Sequence, residues 1–259
     1  MAPTPVRLEY GPKKYAALHL ILCRWIRLYG TPGASYCYVT LGGTELRDIE
    51  SLRFVDAKLT SIVCSYEERH DRHELAKANA AELIAAGMAL DVRHGSIFTH
   101  KRTSDLPHIF FLDIIGICAW GDYQQLFAAM FQSEVIREGD CLLITSHLGH
   151  NPGLDEIRKH FGGELAVLGI DENDKKLVRE IYRRAHPTMT LFKALYLNGI
   201  QSELSLRCFG VVKYRDGAPM AIYGYNVRAG KTELATFVND EETAYFDVGT
   251  GRHCEGEEF

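Results

Sequence analysis

From Tyr36 onward, short apolar runs rich in β-branched and aromatic residues alternate with segments of helical periodicity. This alternation constrains the fold more than any other property of the chain. Residues 36–41, 61–66, 88–93, 108–112 and 141–145 read as strands. Residues 14–29 read as a helix, with Ala17, Leu18, Ile21, Leu22, Trp25 and Leu28 at helical spacing. Thr44 is positioned as N-cap of a second helix carrying Leu46, Ile49, Leu52 and Val55. A third covers 68–86, rich in Ala, Leu, Glu and Lys, with Gly87 closing it. A fourth covers 123–136, with Tyr123, Leu126, Phe127, Met130 and Phe131 on one face. The run at 108–112 is apolar beyond His108, as expected at the centre of a parallel sheet covered on both faces.

The last third changes character. Residues 172–184 and 188–197 fit two helices separated by Pro187. Residues 206–214 and 219–227 are β-rich and joined across Arg215-Asp216-Gly217-Ala218, and Asp-Gly between such runs signals a hairpin. The expected fold is therefore α/β: a doubly wound, mostly parallel seven-stranded sheet, with a C-terminal antiparallel hairpin at the edge and helices on both faces. The expected division is an N-terminal extension and helix (1–35), a Rossmann-like domain (36–230) with a variable helical insertion (172–199), and a C-terminal tail (231–259).

Composition narrows the class. Basic residues number 29 and acidic residues 34, a net charge of −5 that gives no overall attraction to nucleic acid. The seven cysteines show no CxxC pair and no zinc spacing. Cys37, Cys64, Cys141 and Cys208 fall within strand-like runs and are expected to be buried free thiols in a reducing compartment. The N-terminal residues do not read as a signal peptide, and no apolar stretch reaches the ~18 residues of a membrane span. A soluble, cytoplasmic protein is expected.

Five α/β strands followed by a hairpin resemble the class I, Rossmann-like S-adenosylmethionine-dependent methyltransferases, over residues 36–227. In that family the first strand enters a glycine-rich loop beside the cofactor's methionine part. Here the segment is Val39-Thr40-Leu41-Gly42-Gly43-Thr44-Glu45-Leu46. Gly42 falls on the first family glycine. Thr40 stands where an acid is usual, and Thr44 and Leu46 where further glycines are expected. The resemblance implies that Leu41, Gly42 and Gly43 approach the cofactor. It places Glu67 on the ribose hydroxyls, about 25 residues after Gly42 where ~20 is usual. Gly95-Ser96 stands where the family carries an adenine-contacting Gly-Asp pair, with Ser96 able to hydrogen-bond and Ile97 expected to pack on the adenine face. Asp113, ending the fourth strand, is expected near the transferred methyl group. Each position also has a plain structural reading, as turn, helix cap, loop or packing residue.

The segment after the fourth strand, Asp113-Ile-Ile-Gly-Ile-Cys-Ala-Trp120, lacks the Asp-Pro-Pro-Tyr pattern of base amino-methylation. No Asp-Asn pair follows the fifth strand, so no metal is expected. Asp113 and His147 are the candidate catalytic bases, and Trp120 and His150 the candidate acceptor-binding residues. The run His70-Asp71-Arg72-His73 reads as a solvated helix turn. There is no G-x-S-x-G elbow and no Walker loop.

The functional expectation is S-adenosylmethionine-dependent methylation of an oxygen or nitrogen on an unidentified small-molecule or macromolecular acceptor. Basic faces near Arg24, Arg27, Lys175, Lys176, Arg179, Arg183 and Arg184 admit a nucleic acid, although the net charge does not indicate one. The alternative is a methyltransferase-like scaffold or partner-binding subunit without catalysis, favoured by Thr40, Thr44, Leu46 and Ser96. An NAD-type oxidoreductase lacks its G-x-G-x-x-G and fits the hairpin poorly.

Overall fold

A computed structural model describes residues 12–31, 34–52, 60–113, 122–149, 152–197, 199, 203–231, 243–249 and 252–254. Its strands are β1 (Tyr36–Thr40), β2 (Thr60–Glu67), β3 (Leu90–His94), β4 (His108–Leu112), β5 (Cys141–His147), β6 (Leu204–Asp216), β7 (Ala218–Ala229), β8 (Ala244–Asp247) and β9 (Arg252–Cys254). Its helices are α1 (Pro12–Tyr29), α2 (Arg47–Leu52), α3 (His70–Ala85), α4 (Asp122–Gln132), α5 (Leu154–Val167) and α6 (Lys175–Leu197).

All described strands join one sheet in the order β3-β2-β1-β4-β5-β7-β6-β8-β9. The first five are parallel, and β7 enters antiparallel between β5 and β6. This is the doubly wound sheet with a terminal hairpin that the sequence predicts. The sheet continues further than predicted: β8 pairs parallel with β6, and β9 antiparallel with β8. The hairpin is therefore covered by strands drawn from the stretch read as a tail.

Strand periodicity sorts the core into two layers. Tyr36, Tyr38, Ile109, Phe111 and Leu143 face α1, α2 and α3, meeting Leu18, Ile21, Trp25, Ile49 and Ala76. Val39, Phe110, Leu112, Leu142 and Ile144 face α4, α5 and α6, meeting Phe127, Phe131, Ile157, Phe161 and Tyr182. Both faces of β1 and β4 are thus buried, which explains their unbroken apolar character. Trp25 is buried against the edge of Tyr36 and donates its indole N–H to Asn226 at 3.0 Å.

Two helical features differ from the sequence reading. Helix α5 was not anticipated, although Ile157, Phe161 and Leu165 recur at i, i+4, i+8 and Asp155 and Glu156 occupy its first turn. Helix α6 runs continuously through Pro187 instead of breaking there. Proline removes the donor that the Arg183 carbonyl would accept. The Tyr223 hydroxyl donates to that carbonyl at 3.2 Å and takes its place. Asp174 caps the start of α6, accepting from the Lys176 and Leu177 amides at 3.1 and 3.0 Å.

Candidate functional site

The chain winds from β1 through β2 to β3, then crosses back to β4 on the other side of β1. That reversal opens a crevice at the carboxyl ends of β1 and β4, where ligands of doubly wound folds bind. The loops leaving β1, β2 and β3 line one side, and β4, β5 and the start of α1 form the other.

After β1 the chain turns at Gly43, whose φ of 59° suits glycine, with open space where a Cβ would stand. Gly42 differs: a Cβ there would lie 2.6 Å from Ser65 Oγ and 3.1 Å from Leu46 Cδ2. Gly42 is thus required by packing of β2 and α2 under the loop. Thr44 does not cap α2. It lies in the turn, Leu46 adopts a φ of 52° with its side chain fully buried, and α2 begins at Arg47. The Asn79 side chain on α3 donates to the Thr44 carbonyl at 2.6 Å and pins the loop.

The carboxylate of Glu67 ends β2 beside this turn and is partly exposed. Its Oε1 accepts the Arg69 amide at 3.1 Å, and its backbone carbonyl accepts the Gly95 amide at 3.0 Å. The loops after β2 and β3 are therefore fixed to each other. Ser96 is half-buried and leads into a 3-10 turn at Ile97–Thr99, its carbonyl accepting from Thr99. Ile97 is almost wholly buried in the core cluster of the α4 face, while Leu41 is partly buried against the same cluster. Ile97 supports the site's floor from beneath.

Asp113 lies at the tip of β4. Its carboxylate forms a salt bridge with Lys14 of α1 and accepts from Thr145 Oγ1 at 2.8 Å. Both partners' side chains are at most 9% exposed. The Lys14 amide also donates to Asp216 at the hairpin tip, at 3.2 Å, so a remote carboxylate serves the start of α1. Asp48 of α2 is buried beneath, accepting from Thr40 Oγ1 at 2.6 Å and the Tyr38 hydroxyl at 3.3 Å. Burial raises the Asp48 carboxyl above its ordinary value, against the opposing pull of Thr40 and Lys14. Burial also drives the Tyr38 phenol well up, with Asp48 adding to the effect.

His147 ends β5, two residues past Thr145 and on the same face. Its Nδ1 is buried without a hydrogen-bond partner among the described residues, and its ring closes against Gly149. The structure thus brings Gly43, Glu67, Ser96, Asp113 and His147 to one end of the sheet. Trp120 and His150 lie outside the described residues. Sequence reasoning missed Lys14 and Asp48. Each interrupts an apolar stripe: Lys14 precedes Ala17, Leu18 and Ile21, and Asp48 adjoins Ile49 and Leu52. A charged residue on the buried stripe of a helix is the signal that would have found them.

No protein-family model and no curated protein sequence matches the chain. Among solved structures, it is similar to Trm5b from Pyrococcus abyssi, with TM-score 0.45 and 9% identity over 85% of this chain. The chain spans 50% of the length of that protein. It is also similar to a SAM-dependent methyltransferase from Leishmania major, with TM-score 0.46 and 13% identity over 82% of this chain and 73% of the other. The plantazolicin methyltransferase BamL, solved in complex with SAH, gives TM-score 0.44 and 9% identity over 83% and 84%. At these values the likeness transfers no residue role and no reaction. The strand order and the antiparallel β7 stand on the chain's own hydrogen bonding: the fold is a doubly wound, Rossmann-like sheet with an antiparallel hairpin following its parallel strands.

Proposed function

We propose that this chain binds S-adenosylmethionine at the β1/β4 crevice and transfers its methyl group to an oxygen or nitrogen of an acceptor. The observation that carries this reading is the partly exposed Glu67 carboxylate at the tip of β2, beside the open turn at Gly43. A carboxylate suits ribose hydroxyls, and an open turn suits a ligand that must approach the backbone. The residues present therefore fit the cofactor, which when bound supplies an electrophilic methyl on sulfur.

The chain's task is alignment and exclusion of water. Asp113, neutralised by Lys14, acts as a positioning residue that holds α1 over the crevice. His147 is the base: its imidazole has no ion pair among the described residues and lies on the same face of the sheet. The acceptor is a small molecule or a macromolecule, and net charge does not point to nucleic acid. No helix among the described residues is long and apolar enough to cross a membrane. The described free cysteines, four buried and one exposed, fit a cytoplasmic setting.

Calorimetry with S-adenosylmethionine and S-adenosylhomocysteine tests the reading. Wild-type protein should bind both, and Glu67→Gln should weaken binding tenfold or more without changing the unfolding midpoint. No binding by wild type would overturn it. A second reading, a scaffold that has kept the fold without the cofactor, is favoured by Gly42, which serves internal packing rather than the crevice. Under that reading wild type and Glu67→Gln are both silent.

A further inference from the structure

The start of α3 and the end of β3 carry an arrangement that methyl transfer does not use. His70, His73 and Glu74 offer one ligand atom each, all within 4.8 Å of one another. Their i, i+3, i+4 spacing puts them on one face of the helix. His94, paired across the sheet with Glu67, brings a third imidazole to this face. Its ring centroid lies 5.6 Å from that of His70 and 5.3 Å from that of His73. Two imidazoles bound tetrahedrally to one zinc at ~2.0–2.1 Å place their ring centroids about 5 Å apart.

The hydrogen bonds of the two inner rings fix which nitrogen is available. His73 Nε2 donates to the Val92 carbonyl at 3.3 Å, and His94 Nε2 donates to the Glu68 carbonyl at 3.0 Å. A carbonyl only accepts, so each neutral ring must carry its proton on Nε2 and leave Nδ1 as a lone pair. This is the backbone support that metal-binding histidines have. His73 Nδ1 is buried with no hydrogen-bond partner among the described residues, yet lies 3.2 Å from Glu74 Oε1. A proton on His73 Nδ1 satisfies this contact, and a metal ion taking that proton's place would satisfy it as well.

We propose that His70, His73 and Glu74, closed by His94, form a site for a divalent transition metal of the zinc class. Imidazole nitrogens with one carboxylate oxygen suit zinc, cobalt or nickel better than calcium or magnesium. His70 and Glu74 are exposed, while His73 is buried. The site lies in the first turn of α3, where the helix dipole is positive and opposes a cation. The negative charge of Glu74 is therefore needed, and Lys77, 3.6 Å from it, competes for it. The bound metal would tie α3 to the end of β3 beside Glu67. This inference is independent of methyl transfer.

The test uses the full chain stripped with chelator and titrated with zinc chloride by calorimetry, with cobalt chloride as a spectroscopic probe. One equivalent should bind, and zinc should raise the melting temperature. His70→Ala should weaken binding at least tenfold, Glu74→Gln and His94→Ala should weaken it, and Lys77→Ala should tighten it. The cobalt spectrum should be that of a low-coordinate site without a sulfur-to-metal charge-transfer band. His70 and Glu74 are exposed, so their variants remain informative even if buried His73→Ala does not fold. The competing donors are His19 and Cys23, 3.5 Å apart on α1. Binding that survives His70→Ala but is lost in His19→Ala, or no binding by wild type, overturns the proposal.

Discussion

Lys14 and Asp113 stand 99 positions apart in the chain and meet in a buried ion pair that ties the first helix to the tip of β4. Removing one partner leaves an uncompensated charge, which costs about 3–5 kcal/mol. Lys14→Met should lower stability by that order in urea unfolding. The double variant Lys14→Met with Asp113→Asn should recover part of the loss. If the two changes are simply additive, the pair does not hold α1.

The loop glycines should separate by cause. Gly42→Ala forces a Cβ against Ser65 Oγ and Leu46. It should destabilise by about 1–3 kcal/mol, as overpacking does, and Ser65→Ala should relieve part of it. Gly43→Ala meets open space but needs a left-handed residue, at a cost of about 1–2 kcal/mol that Ser65→Ala cannot change. Thermal unfolding of the four variants distinguishes strain from crowding.

Tyr223 and Pro187 should be coupled. Tyr223→Phe removes the donor serving the part-buried Arg183 carbonyl and should cost about 0.5–1.5 kcal/mol, the net contribution of a typical hydrogen bond. In a Pro187→Ala background the helix regains its own donor, so the same change should cost less. An equal cost in both backgrounds would exclude this account of the unbroken helix.

Acid should unfold the protein through two buried histidines. Burial is the first cause holding His100 down to about 3, with His108, Arg93 and Arg102 adding to it. Burial and Arg102 hold His108 down to about 4. In the unfolded chain both titrate near ~6.5. The unfolded state then binds more protons below that value, so stability is full above pH ~6.5 and falls as pH drops toward the folded values. The slope of unfolding free energy against pH should approach two protons between pH 6 and 4.5. His108→Gln should reduce it by one.

The sheet was largely legible because β1, β4 and β5 are buried on both faces and therefore apolar throughout. The Asp216-Gly217 hairpin was legible because its turn needs a residue with positive φ. Strands β8 and β9 were not, because they are short and form only by pairing onto the sheet, β8 on β6 and β9 on β8. Pro187 misled because the compensating donor to the Arg183 carbonyl is Tyr223, 40 positions beyond Arg183. The order of the site residues along the chain pointed to Glu67 and Asp113. Their partners did not follow, since Lys14 reaches Asp113 only once α1 has docked. The histidine run at the start of α3 looked solvated because His94 joins it through the β2–β3 pairing.

The docking of α1 carries a consequence for how the chain reaches this state. Trp25 finds its partner Asn226 201 positions later, so the helix must wait for the hairpin before it can be buried. Long-range closure of this kind is slow. Until β7 is in place, the apolar face of α1 and the sheet surface it will cover are both exposed to other chains. With Trp120 replaced by phenylalanine, Trp25 is the one remaining indole, and its fluorescence on refolding should report the last step. Its recovery should lag behind the return of helical circular dichroism, and that lag is the interval in which this chain is most prone to aggregate.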